Sequence, residues 1–191
     1  MGLRKACAYS KKYARPYTRK SKVKIQNYIK TIPQQKVVKF QMGNIVAFES
    51  GKYPFVLKLI SKEKVMARDN SIEACRQVIH KDLETGLQGV YYFSVKKYPH
   101  HILRENRVYS GGSKGERVNQ GMQQSFGSAI GRAAFIDIGE SIFVVAFADK
   151  KFIPLARNAL EKIKPKLPCA TKTILEMRKW KNRKDFQISM S

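Results

Sequence analysis

No acidic residue precedes Glu49, while cations recur through the whole of that leading stretch. Residues 1–35 carry Arg4, Lys5, Lys11, Lys12, Arg15, Arg19, Lys20, Lys22, Lys24 and Lys30, interleaved with Tyr9, Tyr13, Tyr17 and Tyr28. Such a segment repels itself and sustains no apolar period, so alone in water it has nothing to fold around. Its chemistry suits a polyanion instead. Cations pair with phosphates, and rings or guanidinium planes stack on unpaired bases. A solvated tail that only raised solubility would not need tyrosines at this density. We therefore read 1–35 as a basic RNA-binding extension, with Tyr17 and the ten cations as its contact residues.

The rest of the chain carries the same excess. Over 191 residues, 38 Lys+Arg stand against 14 Asp+Glu, a formal net charge of +24. Self-repulsion of that size opposes compaction unless a partner neutralises it. Nucleic acid is the leading class of partner, ahead of an anionic membrane or an acidic protein. At 43% apolar the chain still buries an ordinary core, enough for one domain with extensions. Cys7, Cys75 and Cys169 are scattered and form no CxxC pair, which argues against zinc and fits a reducing cytosol. No apolar run reaches the roughly 18 residues of a membrane span, and the N-terminus lacks a secretory apolar region.

From residue 36 the pattern becomes that of a folded body, expected over 36–177. Val37–Met42 with Ile45–Phe48, and Phe55–Ile60, are short β-branched or aromatic runs bounded by Gly, Asn or Pro, and read as strands. Asn70 opens a helix, with Glu73 three residues later as a capping box. Ile72, Cys75, Val78, Ile79 and Leu83 share one helical face, which places Cys75 in the core, and Gly86 is the expected stop. Val90–Val95 is the next strand, ended at Tyr98-Pro99. Arg132–Ile138 and Ile142–Phe147 read as a hairpin turning at Gly139-Glu140. A helix then starts near Pro154, with Leu155, Ala156, Ala159, Leu160 and Ile163 inward, and stops at Pro165 and Pro168. Thr173–Met177 is a last strand, and 178–191 is a second basic tail with Trp180. The expected fold is α+β: an antiparallel or mixed sheet packed by about three helices, with basic extended termini.

Between the Val90 strand and the Arg132 strand lies the most informative stretch. Ser110-Gly111-Gly112-Ser113-Lys114-Gly115-Glu116-Arg117 cannot pack a core, yet it sits between elements that can. Ser113 and Glu116 form a second possible capping box, so a helix is expected over Val118–Phe126, stopping at Gly127. Backbone N–H groups near a helix start, with Arg107, Lys114 and Arg117 beside them, make an anion-binding arrangement. It is not a Walker loop, because Lys114 is followed by glycine. His100 and His101 are adjacent on an extended segment and point to opposite faces, so they do not share one metal ion. Hydrogen bonding to RNA or to backbone suits them better, with Arg104 beside them. No catalytic carboxylate pair, nucleophile motif, metal set or cofactor motif is present, so neither enzyme chemistry nor a cofactor is expected. An RNA-modifying or RNA-processing enzyme remains the alternative, since catalytic groups can converge from distant positions.

Tyr98-Pro99-His100-His101-Ile102-Leu103-Arg104-Glu105-Asn106 resembles a core motif of the universal large-subunit ribosomal protein sixteen family, in its archaeal and eukaryotic branch (ribosomal protein ten). Gly121-Met122, Phe126-Gly127, Gly131 and Ile138-Gly139 resemble it too, as do Met1–Arg4, Cys7, Tyr9, Tyr17–Lys20, Ile32–Gln34 and Met42–Asn44. The resemblance spans roughly 1–176. It implies a sheet packed by helices, deep contact with large-subunit ribosomal RNA, and a cytoplasmic place in the ribosome. It further implies a central loop, here 109–119, that faces tRNA and the peptidyl-transferase region. The residues so implied are Arg107, Ser110, Gly111, Gly112, Ser113, Lys114, Gly115 and Arg117. Neighbouring large-subunit proteins and assembly factors are the other implied partners, together with late entry into the subunit. The chain departs from the pattern in its Ser- and Lys-containing loop, in Glu84–Gly89, and in Phe135 and Asp137 where cations are usual.

Overall fold

The computed structural model describes Cys7, Tyr9, Ser10, Val23, Ile29, residues 31–105 and residues 128–178. In chain order the elements are β1 (Gln41–Gly43), α1 (Ile45–Glu49), β2 (Phe55–Ser61), β3 (Val65–Arg68), α2 (Asp69–Leu87), β4 (Tyr92–Val95) and β5 (His101–Glu105). Then come β6 (Ser128–Ile136), β7 (Ser141–Phe147), α3 (Ile153–Lys162) and β8 (Thr171–Met177), with short 3-10 turns on either side of α3. They build two antiparallel sheets: five strands in the order β1-β4-β7-β2-β8, and three in the order β3-β6-β5. The fold is α+β as expected, with α1, α2 and α3 as its helices among the described residues.

The two sheets share a ribbon. β2 pairs with β7 from Phe55↔Phe147 to Ile60↔Ser141, and β3 pairs with β6 from Val65↔Ile136 to Arg68↔Ala133. At the crossing, Ser61 N donates to Glu140 O at 3.1 Å and Gly139 N donates to Ser61 O at 2.9 Å. Both chain segments therefore leave one sheet and enter the other together. The hairpin expected at Gly139-Glu140 is corrected here. β6 and β7 lie in different sheets, and the turn between them is a corner rather than a hairpin end.

One face of the large sheet, with Leu57, Leu59, Phe93, Phe143, Val145 and Phe147, packs on α2 and α3. Ile72, Cys75, Ile79 and Leu83 of α2 are fully buried there, as their spacing predicts. Each of the three aliphatic side chains contributes about 1.5–3 kcal/mol. Ala156, Leu160 and Ile163 join from the α3 side. The opposite face, with Val56, Tyr92, Val144 and Ala146, is covered by Ala47 of α1 and by Tyr53. Phe48 stacks on Tyr92 with ring centroids 3.9 Å apart.

Four local expectations fail for identifiable reasons. Ile45–Phe48 is a helix rather than a strand, because Asn44 Oδ1 accepts from Ala47 N at 2.9 Å and caps a turn that β-branched residues would not start by themselves. Only Gln41 and Met42 of the preceding run join a sheet, and residues 31–40 form a strap that Lys36 and Val38 tie to the start of α2. The Asn70–Glu73 capping box does not form. The helix begins at Asp69, whose Oδ1 accepts Asn70 N at 2.8 Å and whose Oδ2 accepts Lys36 N from the strap at 3.2 Å. Glu73 accepts Val38 N at 3.3 Å and holds Arg76 through both carboxylate oxygens, at 2.6 and 2.8 Å. Gly86 is inside α2, not after it. A Cβ there would come within 2.3 Å of Leu155 Cδ1, so the glycine lets α3 approach, and the helix ends at left-handed Gln88. β6 starts at Ser128, and the helix expected over 118–126 lies outside the described residues.

Two predictions follow from this packing. Gly43 has φ +81°, and an added Cβ would lie 2.2 Å from the Tyr91 carbonyl oxygen. Gly43→Ala should cost about 2 kcal/mol or more, whereas Gly86→Ala should stay within about 1 kcal/mol because Leu155 can rotate away and alanine favours the helix. Thermal unfolding of both variants measures this. Burial raises the pKa of the Glu73 carboxyl, but hydrogen bonds from Arg76 and Val38 outweigh it and hold the group below its ordinary 4.5. Its stabilisation is therefore present above pH 4.5 and lost as pH falls through the lowered value. Burial pushes Asp69 up instead, so acid relieves a penalty at that position. Glu73→Gln should destabilise the fold by roughly 1–3 kcal/mol at neutral pH and flatten the acid limb of stability against pH, read by denaturant titration.

Candidate nucleic-acid interface

β5 and β6 pair from His101↔Ala133 to Glu105↔Ser128, with a register shift between Leu103 and Arg104. The chain leaves this pair at Glu105 and returns at Ser128. The 106–127 segment is thus rooted on two hydrogen-bonded neighbours, which is how a strand pair presents a long connection at its end. The sequence-predicted residues Arg107, Ser110, Gly111, Gly112, Ser113, Lys114, Gly115 and Arg117 belong to that segment and lie outside the described residues. So do Arg4, Lys5, Lys11, Lys12, Arg15, Tyr17, Arg19, Lys20, Lys22, Lys24 and Lys30 of the N-terminal arm, and the tail beyond Arg178.

His100, His101 and Arg104 are described. His100 is exposed and its ring lies 4.4 Å from that of Tyr98. His101 is half-buried against Phe135, centroid to centroid 4.7 Å. The two histidines therefore have different surroundings, as alternation along an extended segment requires. Among the described residues no group of three His, Cys, Asp or Glu is placed to hold a metal ion. Arg104 is half-buried on β5, one residue before the root.

Sequence reasoning missed the neighbours of His100. Tyr98 stacks on Phe40 with centroids 5.3 Å apart, meets the His100 ring at a tilt of 47°, and is 39% exposed. Arg132 of β6 donates from Nε to Pro33 O at 2.7 Å, and its Nη1 lies 3.4 Å from Tyr98 Oη. A partly exposed aromatic row with a guanidinium beside it has the chemistry that unpaired bases can stack on. The signal for it in the chain was only the aromatic at 98 before a proline; Phe40 and Arg132 come from far along the sequence.

The arm also meets the body. Tyr9 is 3% exposed and packs with Met66, Leu103 and Ala133 on the face of the small sheet away from the main core. Its hydroxyl donates to Glu105 Oε2 at 2.5 Å. The sequence reads this arm as an RNA-binding extension with nothing to fold around in water, because a buried ring at one position leaves no periodic trace.

Several acids are engaged within the body. Lys58 pairs with Glu176 at 2.6 Å, Lys162 with Asp82 at 2.9 Å, Lys97 with Glu140, and Glu73 with Arg76. Tyr91 Oη donates to Glu84 at 2.7 Å and lies 2.8 Å from His80 Nδ1, which must then carry its hydrogen. Burial and Glu84 push the Tyr91 phenol up, so it stays protonated and ties the residue before β4 to α2. Even with one cation assigned to each acid, 24 positive charges remain over the chain. Burial pushes the Cys75 thiol up to about 12 and raises Cys169 as well, so neither is a ready nucleophile. Among the described residues no helix is long and apolar enough to cross a membrane.

Comparison with known proteins shows the family. Residues 13–174 match the family model described as ribosomal protein L16p/L10e. A large ribosomal subunit protein uL16 of Methanococcus maripaludis is 37% identical over 177 residues, covering 92% of this chain and 95% of that protein. The uL16 of Nanoarchaeum equitans is 39% identical over 153 residues, covering 76% and 82% respectively. That of Archaeoglobus fulgidus is 34% identical over 174 residues, covering 91% and 93%. With so much of its length matched, the chain belongs to the L16p/L10e family of ribosomal proteins.

Proposed function

We propose that this protein is a structural constituent of the large ribosomal subunit, resident in the cytoplasm with the ribosome, where it binds large-subunit ribosomal RNA. The observation that carries this is the family match over 13–174, joined to a charge of +24 that suits a polyanionic partner. The N-terminal cations Arg4 to Lys30 neutralise phosphates, with Tyr17 stacking among them. His100, His101 and Arg104 meet RNA at the base of the 106–127 segment, next to Tyr98. No step of chemistry is asked of the chain, and nothing in the family favours an RNA-modifying or RNA-processing enzyme.

The finer assignment rests on the same resemblance and on the rooting of 106–127 at Glu105 and Ser128. In this reading 109–119 reaches the tRNA path near the peptidyl-transferase region. Arg107, Lys114 and Arg117 supply charge there, and Gly111, Gly112 and Gly115 let backbone N–H groups come close to phosphate. The body 36–177 docks against RNA and neighbouring large-subunit proteins, and the cations of 1–35 meet RNA beside it. Entry late in subunit assembly, with the help of assembly factors, completes the proposal.

Three measurements test it. The protein should sediment with large subunits at one copy each; absence from the particle overturns the reading. If about 8 phosphates are neutralised, log affinity for large-subunit RNA should fall against log salt with a slope of order −6 to −7, and a flat response overturns the electrostatic argument. Deleting Gly111 to Gly115 should leave incorporation largely intact while lowering translation several-fold, and normal translation would remove the loop from the proposal.

A further inference from the structure

Tyr9 has a left-handed backbone, φ +69°, which a tyrosine adopts only when its surroundings hold it. Three attachments do so. The ring is buried among Met66, Leu103 and Ala133, with Phe135 alongside. Ser10 O accepts Met66 N of the edge strand β3 at 3.0 Å, and a turn is closed where Ser10 N and Oγ donate to Cys7 O at 3.2 and 2.6 Å. The Tyr9 hydroxyl donates to Glu105, a carboxylate only 1% exposed, at 2.5 Å. Hydrogen bonds to a buried charge are the strong ones. Glu105 ends β5 and pairs with Ser128, which begins β6. The residue that fastens the cationic arm is therefore bonded to the residue that roots the glycine-rich segment.

We propose that Tyr9 and Glu105 form a latch that joins the N-terminal arm and the β5–β6 pair into one body, so that RNA held by the arm restrains the root of the 106–127 segment. The latch stands on the geometry; its RNA consequence rests on the function proposed above. Tyr9 is a positioning residue in this scheme.

Cys7 is exposed while Cys75 and Cys169 are buried, so a thiol-directed nitroxide on the full chain reports from two residues before Tyr9. The label should be immobilised in the wild type. Tyr9→Phe keeps the ring and loses the donor, and should raise the undocked population about tenfold. Glu105→Gln keeps an acceptor but loses the charge, and should raise the undocked population less than Tyr9→Phe does. A mobile label in the wild type, or one equally immobile in Tyr9→Phe and Glu105→Ala, overturns the latch. The wild-type spectrum decides this even if a variant does not fold. Amide exchange over 101–105 and 128–136, with and without protein-free large-subunit ribosomal RNA, tests the coupling. RNA should slow exchange there in the wild type but not in Tyr9→Phe, though both bind; equal slowing overturns the coupling. If no form binds RNA, the coupling and the ribosomal reading both fail, while an immobile label at Cys7 still supports the latch.

Discussion

At Ser61 the chain must leave a five-stranded sheet and enter a three-stranded one without abandoning its antiparallel partner. It does so because residues 137–140 turn the same corner beside it, exchanging hydrogen bonds between Ser61, Gly139 and Glu140. Buried backbone N–H and C=O groups have to be paired, and this exchange pairs them where two sheets diverge. Everything else is placed by that bent ribbon. The large sheet gives α2 and α3 a flat apolar face on one side and α1 a smaller one on the other. The small sheet carries β5, and with it the root of the glycine-rich segment, beside the start of β6.

A chain with so few acids uses several of them in particular ways. Asp69 and Glu73 accept backbone N–H groups from the 31–40 strap, and Glu105 accepts the Tyr9 hydroxyl. These carboxylates tie extended segments to the body, a role cations cannot perform because they offer no acceptor. The cost of burying them is visible at Asp69, where desolvation wins over its hydrogen bonds, and is overcome at Glu73 by the fork of Arg76. Many cations remain toward solvent, and a polyribonucleotide is the partner that such a surface fits.

The periodic parts of the fold could be read from the chain. The α2 stripe, the α3 stripe with Pro154 in its first turn, and the β2, β4 and β8 runs stand where spacing puts them. Ile45–Phe48 misled, since β-branching argues for a strand while one Asn44 side chain and an uncovered sheet face decide for a helix. Glu73 misled in the same way. A capping box and a strap anchor look alike at three-residue spacing, and only the arrival of Val38 distinguishes them. Of the candidate site, His100, His101 and Arg104 are proposed from the motif, but the Phe40–Tyr98–His100 row with Arg132 brings together residues far apart in the chain.

By itself the sequence determined the charge, the partner class that charge requires, the family, and the amphipathic elements, because each is a property of local spacing or of totals. The tertiary structure alone decided that the expected hairpin is a corner between two sheets, that Gly86 admits α3, and that Tyr9 closes on Glu105. The reason is physical. Pairing and burial between residues tens of positions apart are chosen by competition among faces over the whole chain, and no window of neighbouring residues records which face won.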